Sequence, residues 1–225
     1  SQLSSSQKRL DNILGITVNQ YYQWINQYYP LITQAYPELT WLTRQWNLSV
    51  PLSVYVEYRD RPRPPEWATW VDMAKDPKDD PYIDQLVREI TDAALEGRFT
   101  EVEKLNFVVA FVQSLPYTVD SVTTPYNEYP RYPIETLFDR GGDCEDTSIL
   151  VAALLDRMGY DVALLGLKDA KHMAVGVSIS NVYGSYYTYK DKKYYYLETT
   201  GEDWQIGQIP PDIRDTRASI YPLRS

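Results

Sequence analysis

Two residues of this 225-residue chain are the sole members of their kind, Cys144 and His172. A thiol and an imidazole suffice for nucleophilic thiol chemistry: the thiolate attacks, and the imidazole takes the proton and later returns it. Such partners need only meet in space, not in sequence. A lone Cys is otherwise a small buried hydrophobe. The run Gly141-Gly142-Asp143-Cys144-Glu145-Asp146 argues for the chemical reading. The glycines allow a tight turn, Asp143 is a good N-cap with Asp146 three residues on, and Gly159 is a natural stop. Cys144 then falls in the first turn of a helix of roughly four turns, where the helix N-terminus favours thiolate. That helix is apolar on nearly every face from Ile149 to Leu155, which predicts burial.

Acyl transfer also needs donors for an oxyanion. The Cys144 backbone N–H is the first. The second should come from the preceding segment, where Gln113, Tyr117 and Tyr132 are all candidates. Asp143, Glu145 and Asp146 crowd the thiol with carboxylates. They cap the helix and complement its dipole, but they also raise a thiol pKa. A bound cation would offset this, and calcium accepts several oxygen ligands in loop geometry. The sequence has no His/Cys cluster with zinc spacing.

The elements that must hold these groups follow from periodicity. Leu10, Ile13, Leu14, Tyr21, Trp24, Ile25 and Tyr28 recur at three and four, predicting one or two helices over 8–29, and a further helical stretch is expected around 31–46. Residues 54–58 read equally as strand or helix. The Arg/Pro-rich and acidic stretch 59–81 is a connector. Ile83, Leu86, Val87, Ile90 and Ala94 mark a helix, and Thr100-Glu101-Val102-Glu103 is a capping box opening another, stopped by Pro116. The Tyr/Pro-rich segment 117–133 reads as a long ordered loop walling a cleft. After the Cys144 helix the pattern turns to strands: 161–167, 172–179, and a hairpin of 181–189 with 192–198 turning at Lys190-Asp191.

The Gly-Gly-Asp-Cys-Glu-Asp turn, the helix ending Met158-Gly159-Tyr160, the strand opening His172-Met173-Ala174-Val175 and the later Tyr195-Tyr196-Leu197-Glu198-Thr199-Thr200 together resemble the transglutaminase-like superfamily, in particular its microbial cysteine peptidase branch. The resemblance spans residues 100–210. It implies an α+β fold of the papain-like, transglutaminase-core kind, with a central Cys-bearing helix packed on an antiparallel sheet. It implies a Cys144–His172–Glu198 triad, Glu198 standing where the superfamily usually has Asp. It also implies Asp143 and Glu145 as calcium ligands, since some members with acidic residues flanking the cysteine bind calcium there.

Composition sets the outer bounds. With 44% hydrophobic residues the chain can bury a sizeable core. We expect an N-terminal, mostly helical extension with its connector over 1–81 and a catalytic domain over 82–225. The net charge of −9 argues against nucleic acid and anionic membranes, and no apolar run is long enough to span a bilayer. A start at Ser1 rather than Met is compatible with a removed upstream signal or anchor and an extracytoplasmic location. The expected activity is acyl transfer at an amide of a protein or peptide substrate, by hydrolysis or by transfer to an amine. The alternative is a peptide- or glycan-binding module that keeps the fold without the reaction.

Overall fold

The structure is a computed structural model that describes residues 12–17, 45–120 and 129–224. It is α+β. Among the described residues, a sheet of five antiparallel strands carries one buried helix across its face; four further helices pack against that helix, and a fifth packs chiefly on one of the four.

In chain order, β1 (Asn12–Thr17) pairs antiparallel with β2 (Gln45–Val50). This corrects the expected helices at both places: residues 12–17 and 45–46 are extended. The remainder of 8–29 and 31–46 lies outside the described residues. Leu52–Arg59 is a helix, α1, which resolves the ambiguity of 54–58. Pro51 precedes it with extended backbone, a position that tolerates the missing N–H. A short 3-10 turn over Trp67–Thr69 leads into α2 (Trp70–Ala74). The long helices α3 (Asp80–Glu96) and α4 (Glu101–Gln113) follow. The Thr100 capping box forms as expected, Thr100 N–H donating to Glu103 Oε2 at 2.7 Å and Glu103 N–H to Thr100 Oγ1 at 3.3 Å. Then come α5 (Pro133–Asp139) and α6 (Cys144–Arg157).

Every residue of α6 from Asp146 to Leu155 is buried. Its end is a Schellman pair: Tyr160 N–H donates to Leu155 O and Gly159 N–H to Asp156 O. The strands are β3 (Asp161–Leu167), β4 (His172–Ser178), β5 (Tyr186–Tyr189), β6 (Lys192–Leu197) and β7 (Ser219–Pro222), in the spatial order β5-β6-β4-β3-β7. Lys190 and Asp191 both have positive φ, 46° and 62°, as a two-residue turn of the favoured hairpin hand requires.

Alternation along the strands divides the sheet into two faces. Val162, Leu164, Met173, Val175, Val177 and Leu197 join the main core under α6, which also takes in Leu48, Tyr58, Trp70 and Met73 from the N-terminal part. Leu165, Leu167, Ala174 and Tyr196 face the other way and are covered by Ile209, with Ile213 and Ala218 packed at the edge. Both faces being apolar explains why β3 and β4 read as nearly continuous hydrophobic runs. No helix among the described residues is long and apolar enough to cross a membrane.

Candidate active site

Cys144 sits in the first turn of α6, half-buried. The turn before it is held from two sides. Tyr117 bridges Gly142 as a short parallel ladder, with Thr118 N–H donating to Gly142 O at 3.0 Å and Gly142 N–H to Pro116 O at 3.3 Å. Asp146 folds back so that its Oδ2 accepts from Asp143 N–H at 3.3 Å. A Cβ on Gly142 would lie 2.5 Å from Asp146 Cβ, so this return needs glycine at 142.

His172 opens β4 directly after Lys171, whose φ of 48° turns the chain. The register Val175↔Leu197 carries Glu198 past the last ladder pair of β6, toward the His172 end of β4. There His172 Nε2 and Glu198 Oε2 are 2.9 Å apart. Glu198 is 2% exposed and fully engaged. Its Oε2 also accepts from Tyr196 Oη at 2.7 Å, and its Oε1 accepts from Thr199 N–H, Thr200 N–H and Thr200 Oγ1 at 3.1, 3.0 and 2.7 Å. Burial alone would raise this carboxyl. The hydrogen bonds and charge of His172, with Tyr196 and Thr200, outweigh it and hold Glu198 below its ordinary value.

Cys144 and His172 line one cavity of about 600 Å³ together with Tyr117, Asp143, Glu145 and Met173. The Cys144 thiol donates to Glu145 Oε2 at 3.2 Å. Of the two opposing influences expected on the thiol, the helix start and the flanking carboxylates, the second prevails. Burial and then the Glu145 carboxylate push the thiol well above its usual value, and a backbone hydrogen bond from Met173 only partly opposes them. The helix N-terminus is outweighed because its effect is modest, about 0.3–1 kcal/mol, whereas desolvation and an adjacent like charge each move a pKa by whole units.

The three oxyanion candidates separate. Gln113 is buried at the end of α4, and its amide donates to Glu198 O at 2.8 Å and Trp204 O at 3.1 Å. It anchors the Glu198 backbone and does not line the cavity. The Tyr132 ring tilts against Tyr58 at 4.9 Å and lies 5.1 Å from the Arg61 guanidinium, also away from the cavity. Tyr117 lines it. Burial, then the thiol and the carboxylates of Asp143 and Glu145, push the Tyr117 hydroxyl up to about 12, so it stays a donor at neutral pH.

Asp143 and Glu145 do come together, joined by a residue the sequence reading missed. Asp120, Asp143 and Glu145 each offer a carboxylate oxygen, all within 4.8 Å of one another. Asp143 is 8% exposed and its buried Oδ1 has no hydrogen-bond partner. Burial and then Glu145 push Asp143 up to about 8, and Glu145 is likewise raised, by burial first. Crowded, desolvated oxygens with an orphaned acceptor fit a hard cation that takes oxygen ligands. Asp120 is placed by Arg131, 1% exposed, whose Nη1 donates to Asp120 Oδ1 at 3.0 Å and also to Asp146 Oδ2.

Comparison with known proteins adds little to this geometry. No protein-family model and no curated protein matches the chain. A solved structure similar to it is Legionella pneumophila LapG, EGTA-treated, at 17% identity and a TM-score of 0.32, the match covering 60% of this chain and 78% of that one.

Proposed function

We propose that the chain is a thiol-dependent acyltransferase of the transglutaminase-like cysteine peptidase kind, acting on an amide of a protein or peptide. The observation that carries the reading is the His172–Glu198 hydrogen bond at a cavity that Cys144 shares. With Nε2–H donated to Glu198, the basic lone pair of His172 is on Nδ1. That nitrogen takes the Cys144 proton as sulfur attacks the amide carbonyl. The Cys144 backbone N–H and the Tyr117 hydroxyl serve the oxyanion. Collapse returns the proton to the departing amine and leaves a thioester on Cys144. Water then releases a carboxylic acid, His172 again taking and returning the proton. Glu198 holds the ring and stabilises the imidazolium.

Asp120, Asp143 and Glu145 would hold calcium. When bound, the ion supplies positive charge that compensates the carboxylates around the thiol and lowers the cost of its ionisation.

A second reading has its own support. The raised thiol suits a binding module in which Cys144 is inert. The two part on one experiment. The protein with calcium is incubated with a peptide pool and a labelled primary amine. Release of new amino termini indicates a peptidase, incorporation of the label a transamidase, and neither, with peptide bound, the module.

A further inference from the structure

The walls of the cavity say what kind of peptide it takes. Beyond the reacting groups it is lined by Glu66 and Trp67 from the turn before α2, by Lys168 and Lys171 from the turn joining β3 to β4, and by Tyr221 of β7. Trp67 is a built feature. Its ring lies against Gly166 of β3, where a Cβ would fall 2.6 Å from the indole and 3.2 Å from the Tyr221 ring. Glycine at 166 therefore lets two aromatic rings approach the strand, and both line the cavity as apolar surface.

The lysines are equally placed by backbone. Lys168 opens a 3-10 turn that Lys171 closes, with Lys171 N–H donating to Lys168 O at 3.0 Å. Both line the cavity, while Asp169 between them does not. Both are exposed, and among the described residues neither ammonium has an ion-pair partner. On a chain of net charge −9, they put two unpaired cations beside the imidazole, on a wall that also carries Glu66, Asp143 and Glu145. With Asp143 and Glu145 given to the cation, Glu66 is the single acid left on the wall.

We infer that the cavity selects a polypeptide segment carrying a carboxylate beside an apolar side chain, the carboxylate meeting Lys168 and Lys171 and the apolar group lying on Trp67 and Tyr221. This rests on the reading of Cys144 as the acylated residue of a peptide-processing site. The carboxylate is either an acidic side chain or a free chain end. Because the lysines are exposed, each contact is weak and screened by salt, so the selection is one of steering and register more than of raw affinity.

The test uses internally quenched octapeptides with Glu, Gln or Lys fixed at each position in turn, made with free and with amidated C-termini. Turnover is read on the full chain, and binding is read by anisotropy on Cys144→Ala. We expect Glu to exceed Lys by about tenfold at low salt at one position, falling as salt rises, and the Lys168→Glu/Lys171→Glu variant to invert that order. A preference for the free over the amidated terminus instead assigns the carboxylate to the chain end. Trp67→Ala should weaken binding without changing the Glu/Lys ratio. A Glu/Lys ratio unchanged by the charge reversal overturns the inference. Peptide binding with the expected ratio on Cys144→Ala, but no turnover by the intact chain, leaves the selection standing and refutes the enzyme.

Discussion

His172 Nε2 lies 2.9 Å from Glu198 Oε2, and that oxygen also accepts the Tyr196 hydroxyl at 2.7 Å. The imidazole is thus gripped by a carboxylate that cannot rotate away, because its other oxygen is fixed by Thr199 and Thr200. A carboxylate with this many donors orients a ring instead of only lying near it.

Glu198→Gln should therefore cost activity, but less than His172→Ala, which should lose about 10²–10⁴-fold in kcat as expected for a general base. Kinetics on both variants across pH checks the order. A Glu198→Gln variant as impaired as His172→Ala would mean that the carboxylate does more than orient.

Glu198 also sets a pH dependence of stability. Its folded pKa is below the unfolded value, so its contribution is present above roughly pH 4.3 and is lost as pH falls through the folded value. The difference in melting temperature between wild type and Glu198→Gln should be largest near neutrality and shrink on acidification.

Asp79 has the opposite sign. It is 2% exposed at the start of α3, and its buried Oδ2 has no partner. Burial and then Asp76 and Asp80 push it up to about 8. The native state keeps the proton, so stability falls as pH rises from roughly 4, the unfolded value, toward about 8. Asp79→Asn should stabilise the protein by about 1–3 kcal/mol above that range and by little below pH 4, measured by urea unfolding. A variant less stable than wild type at pH 9 would contradict the assignment.

Calcium should raise the melting temperature by mass action, and either Asp120→Asn or the pair Asp143→Asn with Glu145→Gln should remove most of the rise. Differential scanning with calcium and with chelator decides it. Equal curves for wild type under both conditions would leave the cluster as helix capping alone.

Much of this was legible in the sequence because the signals were local. The Gly-Gly-Asp-Cys-Glu-Asp turn, the apolar run of α6 and the Lys190-Asp191 hairpin each follow from residues a few positions apart. Asp120 was not legible, since it is positioned by the Arg131 guanidinium and the Tyr129 N–H, contacts that no spacing reports, and nothing near it in sequence marks a ligand. Gln113, Tyr117 and Tyr132 were equal candidates for the second oxyanion donor because sequence gives only their place before Cys144, and the carbonyls of Glu198 and Trp204 take both bonds of the Gln113 amide. The three- and four-residue spacing around Ile13 and Leu14 misled because six residues of strand fit such a pattern by chance, and pairing with β2 settled them as extended. The thiol's raised pKa depends on burial and on a side-chain direction, and spacing reports neither.

The central claim is that Cys144 carries the acyl group. The direct measurement is mass spectrometry of acid-quenched, calcium-treated protein after brief exposure to a cleavable peptide pool. The account predicts an acyl fragment joined as a thioester to the tryptic peptide containing Cys144, released by hydroxylamine and absent in Cys144→Ala. Peptide cleavage that persists in Cys144→Ala, or an intact wild type that binds peptide and never forms the adduct, would contradict it.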